Sequence, residues 1–239
     1  MFDNLLFHYD LIKFMFHYKK IKHMLDSAYI PTDSIPKILH YCWFGGNPYS
    51  PLIEKCIRSW AICHGFTIKR WDESNFPIEQ YPFAQEAMRL KQYAFVADVA
   101  RLHAIYTEGG IHVDTDVELI KPLDDLLAYG AFACIEDTRK ISHGTFGAKP
   151  WHPWIGMYLE FYKTTKWRKD YGDTASPRIL TKIHEKVYKF KLNGQEVILP
   201  NDVHILEEDT FLPQRDKEGS FIIKDNTYCM HHGTGLWGL

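Results

Sequence analysis

The sequence contains no run of about 18 uncharged apolar residues, the length that would cross a bilayer as one helix. It shows no secretory leader, no internal repeat and no low-complexity tract. Its five cysteines, Cys42, Cys56, Cys63, Cys134 and Cys229, are odd in number and include no CxxC pair. That pattern argues against a disulfide framework and reads as reduced thiols in a cytoplasmic protein. An excess of positive charge is also missing: 28 Lys and Arg stand against 30 Asp and Glu, a net charge of -2. Nucleic acid is therefore not expected as the main partner. Glycine and proline are absent from residues 1–29, which sets that segment apart from the rest.

What is present begins with length and apolar content. A chain of 239 residues, 46% of them hydrophobic, suffices for one large domain with a sizeable core. Its organising stretch is 93–121, YAFVADVARLHAIYTEGGIHVDTDVELIK. Phe95, Val96, Val99, Leu102, Ile105 and Tyr106 recur at helical spacing, and Gly109 and Gly110 fit a left-handed helix stop. Ile111 and Val113 flank His112 as a short buried strand would, and Asp114 and Asp116 follow at its end. If that end stays extended, residues i and i+2 point to one side, so the two carboxylates face the same space. Such a pair repels unless a cation lies between them, and hard divalent ions such as Mn²⁺ or Mg²⁺ suit oxygen ligands. The order helix, glycine stop, strand, acid pair describes a crevice at strand ends, where α/β proteins bind ligands. Asp98 and Arg101, three apart, share one face of a helix that is otherwise apolar.

The blocks IPKILHYCWFGG, YAFVADVARL and YTEGGIHVDTDVEL together resemble the DXD-containing glycosyltransferases of family 32. That group includes bacterial capsular and lipopolysaccharide sugar transferases and fungal initiating mannosyltransferases, with the clostridial glucosylating toxins as distant relatives. The resemblance spans about 35–127 and resumes weakly at 231–237. It implies an α/β fold of GT-A type: a Rossmann-like mixed sheet flanked by helices, preceded here by an N-terminal helical segment. The division it implies is 1–30 as an amphipathic helix and 35–239 as the catalytic domain. Within that domain, 35–130 is the nucleotide-sugar half and 131–239 the acceptor half.

By the same resemblance, Trp43 stacks on the nucleotide base, Asp98 meets sugar or ribose hydroxyls, and Arg101 meets the sugar or its diphosphate. Asp114 and Asp116 hold the metal. His231 completes the metal's shell, the glycine turn after it offers N–H groups to the diphosphate, and Trp237 closes the donor site. The family often has Ser before that Trp, where this chain has Leu236. The implied activity is metal-dependent, retaining transfer of a hexose to a saccharide acceptor, which can be lipid-linked. The donor would be a UDP-sugar, with GDP-mannose next. A glycoside hydrolase and a non-catalytic sugar-binding module are the alternatives.

The remaining elements are read more coarsely. Helices are expected at 49–64, 83–92, 154–167 and 176–190. Strands are expected at 35–43, 66–71, 131–135, 197–199, 203–206 and 221–223, with a loop and short strand over 142–149. Glu136 and Asp137, after a strand, are candidates to touch acceptor or sugar. Residues 1–29 combine large apolar side chains with Lys13, Lys19, Lys20 and Lys22. They read either as a helix packed on the domain, the favoured reading, or as a peripheral contact with the inner face of an anionic membrane.

Overall fold

The computed structural model describes residues 5–137, 139–168, 176–189 and 191–234. Among the described residues nine strands run in chain order: β1 (Ile38–Cys42), β2 (Thr67–Trp71), β3 (Gly110–Val113), β4 (Val117–Leu119), β5 (Ala131–Glu136), β6 (Lys140–Ala148), β7 (Val197–Leu199), β8 (Val203–Leu206) and β9 (Cys229–His231). Seven of them form one mixed sheet in the order β2-β1-β3-β6-β5-β8-β7, while β4 and β9 pair as a separate antiparallel ribbon. In the large sheet β1 runs parallel to β2 and β3, and β6 enters antiparallel between β3 and β5. The expected Rossmann-like mixed sheet is thus present.

Six α-helices among the described residues accompany these strands: α1 (Leu5–Ala28), α2 (Pro51–Ser59), α3 (Pro82–Arg89), α4 (Tyr93–Glu108), α5 (Pro153–Thr164) and α6 (Ser176–Tyr188). Strand alternation divides the core into two layers. Along β5, Ala131, Ala133 and Ile135 face the layer holding α1, α3, α4, α5 and α6, while Phe132 and Cys134 face the layer of Trp60, Leu119 and Phe211. On β3, Ile111 and Val113 join that second layer. His112, between them, makes ring contact with Phe146 of the first layer at 5.5 Å. Helix α4 is buried along nearly its whole length, which explains why its sequence is apolar on more than one face.

The junction between α4 and β3 is fixed by glycine and histidine. Gly109 has φ +66, and a Cβ there would come within 2.8 Å of Pro36 and Pro150. Gly110 has φ +102, and its Cβ would meet the Ile38 carbonyl at 2.7 Å. Both conformation and space therefore demand the glycine pair. Beside it, Trp71 Nε1–H donates to His40 Nδ1 at 3.0 Å. That bond fixes the neutral tautomer, so His40 Nε2–H donates to the Gly109 carbonyl at 2.8 Å.

Helix α1 packs on its own domain: Leu11, Phe14, Tyr18 and Leu25 are buried, and Phe14 meets Phe161 of α5 edge-on at 5.7 Å. Among the described residues no helix is long and apolar enough to cross a membrane, and all five cysteines are free thiols. Two expectations need correction, and one strand was not foreseen. Residues 142–149 belong mostly to the nine-residue strand β6, which is buried almost throughout and so lacks the alternation that marks a half-exposed strand. No strand forms over 221–223; Phe221 makes one isolated bridge to Arg215, whose guanidinium covers its ring at 3.7 Å. Residues 229–231, not assigned to a strand from sequence, form β9, because β4 offers them a partner.

Six histidines are buried in neutral form. Burial lowers their pKa from 6.5 to about 4 at His40, His103, His112, His152 and His184, and to about 3 at His143. The unfolded chain therefore takes up protons below pH 6.5 that the folded chain refuses. Stability is full above that pH and lost as pH falls towards 4, by about 1.4 kcal/mol per pH unit for each such histidine. Thermal melts across this range should show a steep fall in Tm beginning between pH 6.5 and 5; a Tm flat from pH 7 to 5 would contradict this account.

Candidate active site

A cleft of about 710 Å³ opens at the carboxyl ends of β1 and β3. Its walls come from the loop after β1, the start of α4, the turn after β3, the middle of β6 and the segment after β9. Parallel strands β1 and β3 both deliver their carboxyl ends there, so the residues following each strand are presented to one space.

Asp114 and Asp116 lie in this cleft, but not by the route expected from an extended strand. The Val117 N–H donates to the Asp114 carbonyl at 3.0 Å, which closes a four-residue turn over Asp114, Thr115 and Asp116. The turn, rather than a pleat, brings the carboxylates together. Its base is tied on both sides: Asp114 N–H donates to the Gly144 carbonyl at 2.7 Å, and Trp60 Nε1–H donates to the Val117 carbonyl at 2.9 Å.

His231 reaches the same point from β9. One ligand atom from each of Asp114, Asp116 and His231 falls within 4.8 Å of the others. His231 Nε2 lies 3.1 Å from Asp116 Oδ1. The other Asp116 oxygen accepts the Thr234 N–H at 2.8 Å and the Thr234 hydroxyl at 2.9 Å. The glycine turn after His231 was expected to offer N–H groups to a diphosphate; the Thr234 N–H is instead committed to Asp116. Two hard carboxylates and one imidazole, converging on one point, fit Mn²⁺ or Mg²⁺ by their donor chemistry.

Behind the acidic pair lies a buried ion cluster. Arg101, from α4, places Nη2 2.9 Å from Asp98 Oδ1 and Nη1 3.2 Å from Asp114 Oδ1. Nη1 also donates to the His143 carbonyl at 2.8 Å. His112 Nε2 lies 3.0 Å from Asp114 Oδ1. Burial works against ionisation of Asp114, but Arg101 and His112 outweigh it and hold its carboxyl below the ordinary range. At Asp116 burial is likewise outweighed, by His231 and Thr234, and the carboxyl is again lowered. The same pairing raises His231 against the effect of its burial. Asp98 differs: burial pushes it up to about 7 despite Arg101. It is 1% exposed and does not line the cleft, so the structure brings it to Arg101 rather than to the surface where a donor would lie.

Trp43 stands on the cleft wall, half-buried, and its indole N–H donates to the Asn47 carbonyl at 2.7 Å. Its ring meets Tyr49 edge-on at 4.8 Å. It is not a core tryptophan. The loop after it turns at Gly45, with φ +87, where a Cβ would lie 2.6 Å from the ring of Tyr93. Gly45 N–H donates to Glu73 Oε1 at 2.6 Å. Glu136 lines the cleft, whereas Asp137 is exposed and paired with Lys140. Trp237 lies outside the described residues.

Sequence reasoning missed Thr234, His112, Tyr93 and Gly144. Gly144 alone left a usable signal, a glycine inside a segment already expected to line the site: a Cβ there would stand 2.9 Å from the His231 ring and 3.3 Å from Asp114 Oδ2.

A seven-stranded mixed sheet, with an acid pair and a histidine at its strand ends, is the frame of a GT-A glycosyltransferase. A solved structure, "PaToxG Glycosyltransferase", superposes with a TM-score of 0.55 over 77% of this chain and 80% of that one, at 16% identity. Residues 47–133 match the family model described as "Glycosyltransferase sugar-binding region containing DXD motif". The chain is 26% identical over 148 residues to inositol phosphoceramide mannosyltransferase 1 of Schizosaccharomyces pombe, covering 58% of this chain and 46% of that protein. It is 29% identical over 224 residues to an uncharacterised glycosyltransferase of Acanthamoeba polyphaga mimivirus, covering 85% and 84%. It is 31% identical over 123 residues to human alpha-1,4-N-acetylglucosaminyltransferase, covering 50% and 32%. The chain thus spans about half the length of the yeast relative and about a third of the human one. These partial matches are all to glycosyltransferases, and the family model falls on the stretch that carries the acid pair.

Gly144→Ala tests the packing of the site. The added methyl group should push the His231 ring aside while the sheet stays folded. Mn²⁺ affinity, measured by calorimetry, should fall about tenfold or more, the usual cost of disturbing the support of a metal ligand. Unchanged affinity would show that His231 does not need its present position.

Proposed function

We propose that the protein transfers a hexose from a nucleotide diphosphate donor to a saccharide hydroxyl, with a divalent cation at Asp114, Asp116 and His231. The observation that carries this reading is the convergence of those three side chains on a cleft that has Trp43 on its wall. In this reading residues 35–130 hold the donor and 131–239 the acceptor. The nucleotide base lies on Trp43. The diphosphate lies at the acid pair, where a bound cation would neutralise the charge of the departing group. Arg101 lines the cleft and brings a fixed positive charge to the sugar or diphosphate. Asp98 acts through Arg101, holding it from behind. Glu136 is a cleft carboxyl outside the metal cluster; burial pushes its pKa up although Lys140, His231 and a hydrogen bond from Ser142 oppose this, and in this reading it meets hydroxyls of a sugar.

Transfer proceeds with retention by front-face attack. The acceptor oxygen bonds to the anomeric carbon as the bond to the diphosphate breaks, and its proton goes to the leaving diphosphate. A hydrolase reading is weaker, because Asp114 and Asp116 converge with His231 on one point instead of standing apart on either side of a glycosidic bond. The donor is a UDP-hexose, with GDP-mannose second; relatives named as a mannosyltransferase and an N-acetylglucosaminyltransferase support a hexose of one of these kinds. We place the reaction in the cytoplasm, in keeping with five free thiols, on an acceptor of a surface glycan that is lipid-linked.

Mn²⁺ together with UDP or GDP should raise the Tm, since a ligand of the folded state stabilises it. Asp116→Ala should remain folded and lose that shift; a full metal-dependent shift in the variant would remove the acid pair from the site. Trp43→Ala should weaken nucleotide affinity by about 1–3 kcal/mol, the loss of one aromatic–base stack. Because Trp43 is only half-buried, its removal should leave Tm in the absence of ligand nearly unchanged.

A further inference from the structure

Helix α1 was expected either to pack on its domain or to meet a membrane. Its geometry provides for both. Successive residues turn by about 100° around a helix axis, so residues 11, 14, 18 and 25 share one face and residues 9, 12, 16 and 24 the opposite one. The first set, Leu11, Phe14, Tyr18 and Leu25, is in the core. The second set, Tyr9, Ile12, Phe16 and Met24, is between 49% and 68% exposed. Four large apolar side chains along one outward face are not explained by the fold, because the helix already contributes its other face to the core.

Charge decides what such a face meets. Lys13, Lys19 and Lys20 stand exposed on this side, and Lys19 Nζ lies 6.0 Å from the Phe16 ring. Lys186, from α6, joins Ile12, Phe16 and Lys19 around a shallow groove. The acids among the described residues of α1 do not offset them. Asp10 is buried opposite Arg168, and Asp26 is paired with Lys22. A second copy of the chain would bring lysines against lysines. A surface of anionic head groups over hydrocarbon complements both features at once: the lysines meet the head groups, and the aromatic and aliphatic side chains enter the interface.

We propose that the outward face of α1, through Tyr9, Ile12, Phe16 and Met24 ringed by Lys13, Lys19 and Lys20, docks the folded domain on an anionic lipid surface. The helix lies in the plane of the interface while its inner face stays packed on α5. This deepens the reading of a lipid-linked acceptor but does not depend on the nucleotide site, and the two fail separately.

The test is co-sedimentation of the full chain with vesicles of phosphatidylcholine alone or mixed with phosphatidylglycerol, at low and high salt. Two variants accompany it: Tyr9→Ser with Ile12→Ser and Phe16→Ser, and Lys13→Glu with Lys19→Glu and Lys20→Glu. All six positions are exposed, so both variants should keep the parent Tm and the metal-dependent nucleotide shift. The parent should bind the anionic vesicles, release at high salt and ignore neutral ones. Each variant should bind at least about ten-fold more weakly, since each lysine near such a surface adds to the attraction. No binding by the parent at low salt, or equal binding by parent and variants, would overturn the proposal. So would a concentration-dependent dimer without lipid that either variant disperses, since a second copy would then cover the face.

Discussion

Arg101 is the constraint on which the site depends. Its guanidinium sits between Asp98 of its own helix and Asp114 of the turn after β3, and it also holds the His143 carbonyl of β6. One buried cation thereby fixes the distance between a helix, a strand end and a neighbouring strand. Two carboxylates in a poorly solvated place are costly, and a fixed positive charge between them keeps Asp114 ionised without help from solvent. The cluster is lopsided. Asp114 is drawn towards Arg101 and the cleft, while Asp98, wholly enclosed, is driven towards its neutral form. A charge that changes on Asp98 would therefore be felt in the cleft through Arg101.

Much of the frame was legible in the sequence because its signals are local. The helical spacing over 93–108, the glycine pair and the short strand at 110–113 each follow from a few neighbouring residues, and all appear where expected. The acid pair was also legible, although the reason first given for its convergence, an extended backbone, is replaced by a turn. What escaped was set by partners far along the chain. Residues 229–231 become a strand only because β4 lies beside them. Gly144 matters because His231 approaches it, and Thr234 because Asp116 does. Phe221 to Ile223 carry strand-forming side chains, but Arg215 covers the first and no neighbouring strand receives the rest. β-Propensity reports a side chain suited to a sheet, not the presence of one.

The same limit explains α1. Apolar residues on two opposite faces blur the periodicity from which burial is read, so the sequence alone left packing and membrane contact as rivals. The structure shows the packing, and membrane contact stays a proposal for the outward face. Leu11, Phe14, Tyr18 and Leu25 are in the core with Phe7, Met15 and Ile21 packed beside them, while Tyr9, Ile12, Phe16 and Met24 remain outward among lysines.

The ribbon of β4 and β9 joins Val117 to His231, and Thr234 closes on Asp116 across 118 positions of sequence. Closing so long a span is entropically unfavourable until the intervening sheet exists to hold its ends near one another. The convergence of Asp114, Asp116 and His231 depends on this clasp, because His231 reaches the acid pair from β9. Contacts of such long sequence separation tend to form after local ones, which puts the convergence of Asp114, Asp116 and His231 among the later events of folding. A cation held at that cluster, as proposed, would favour the finished state by mass action.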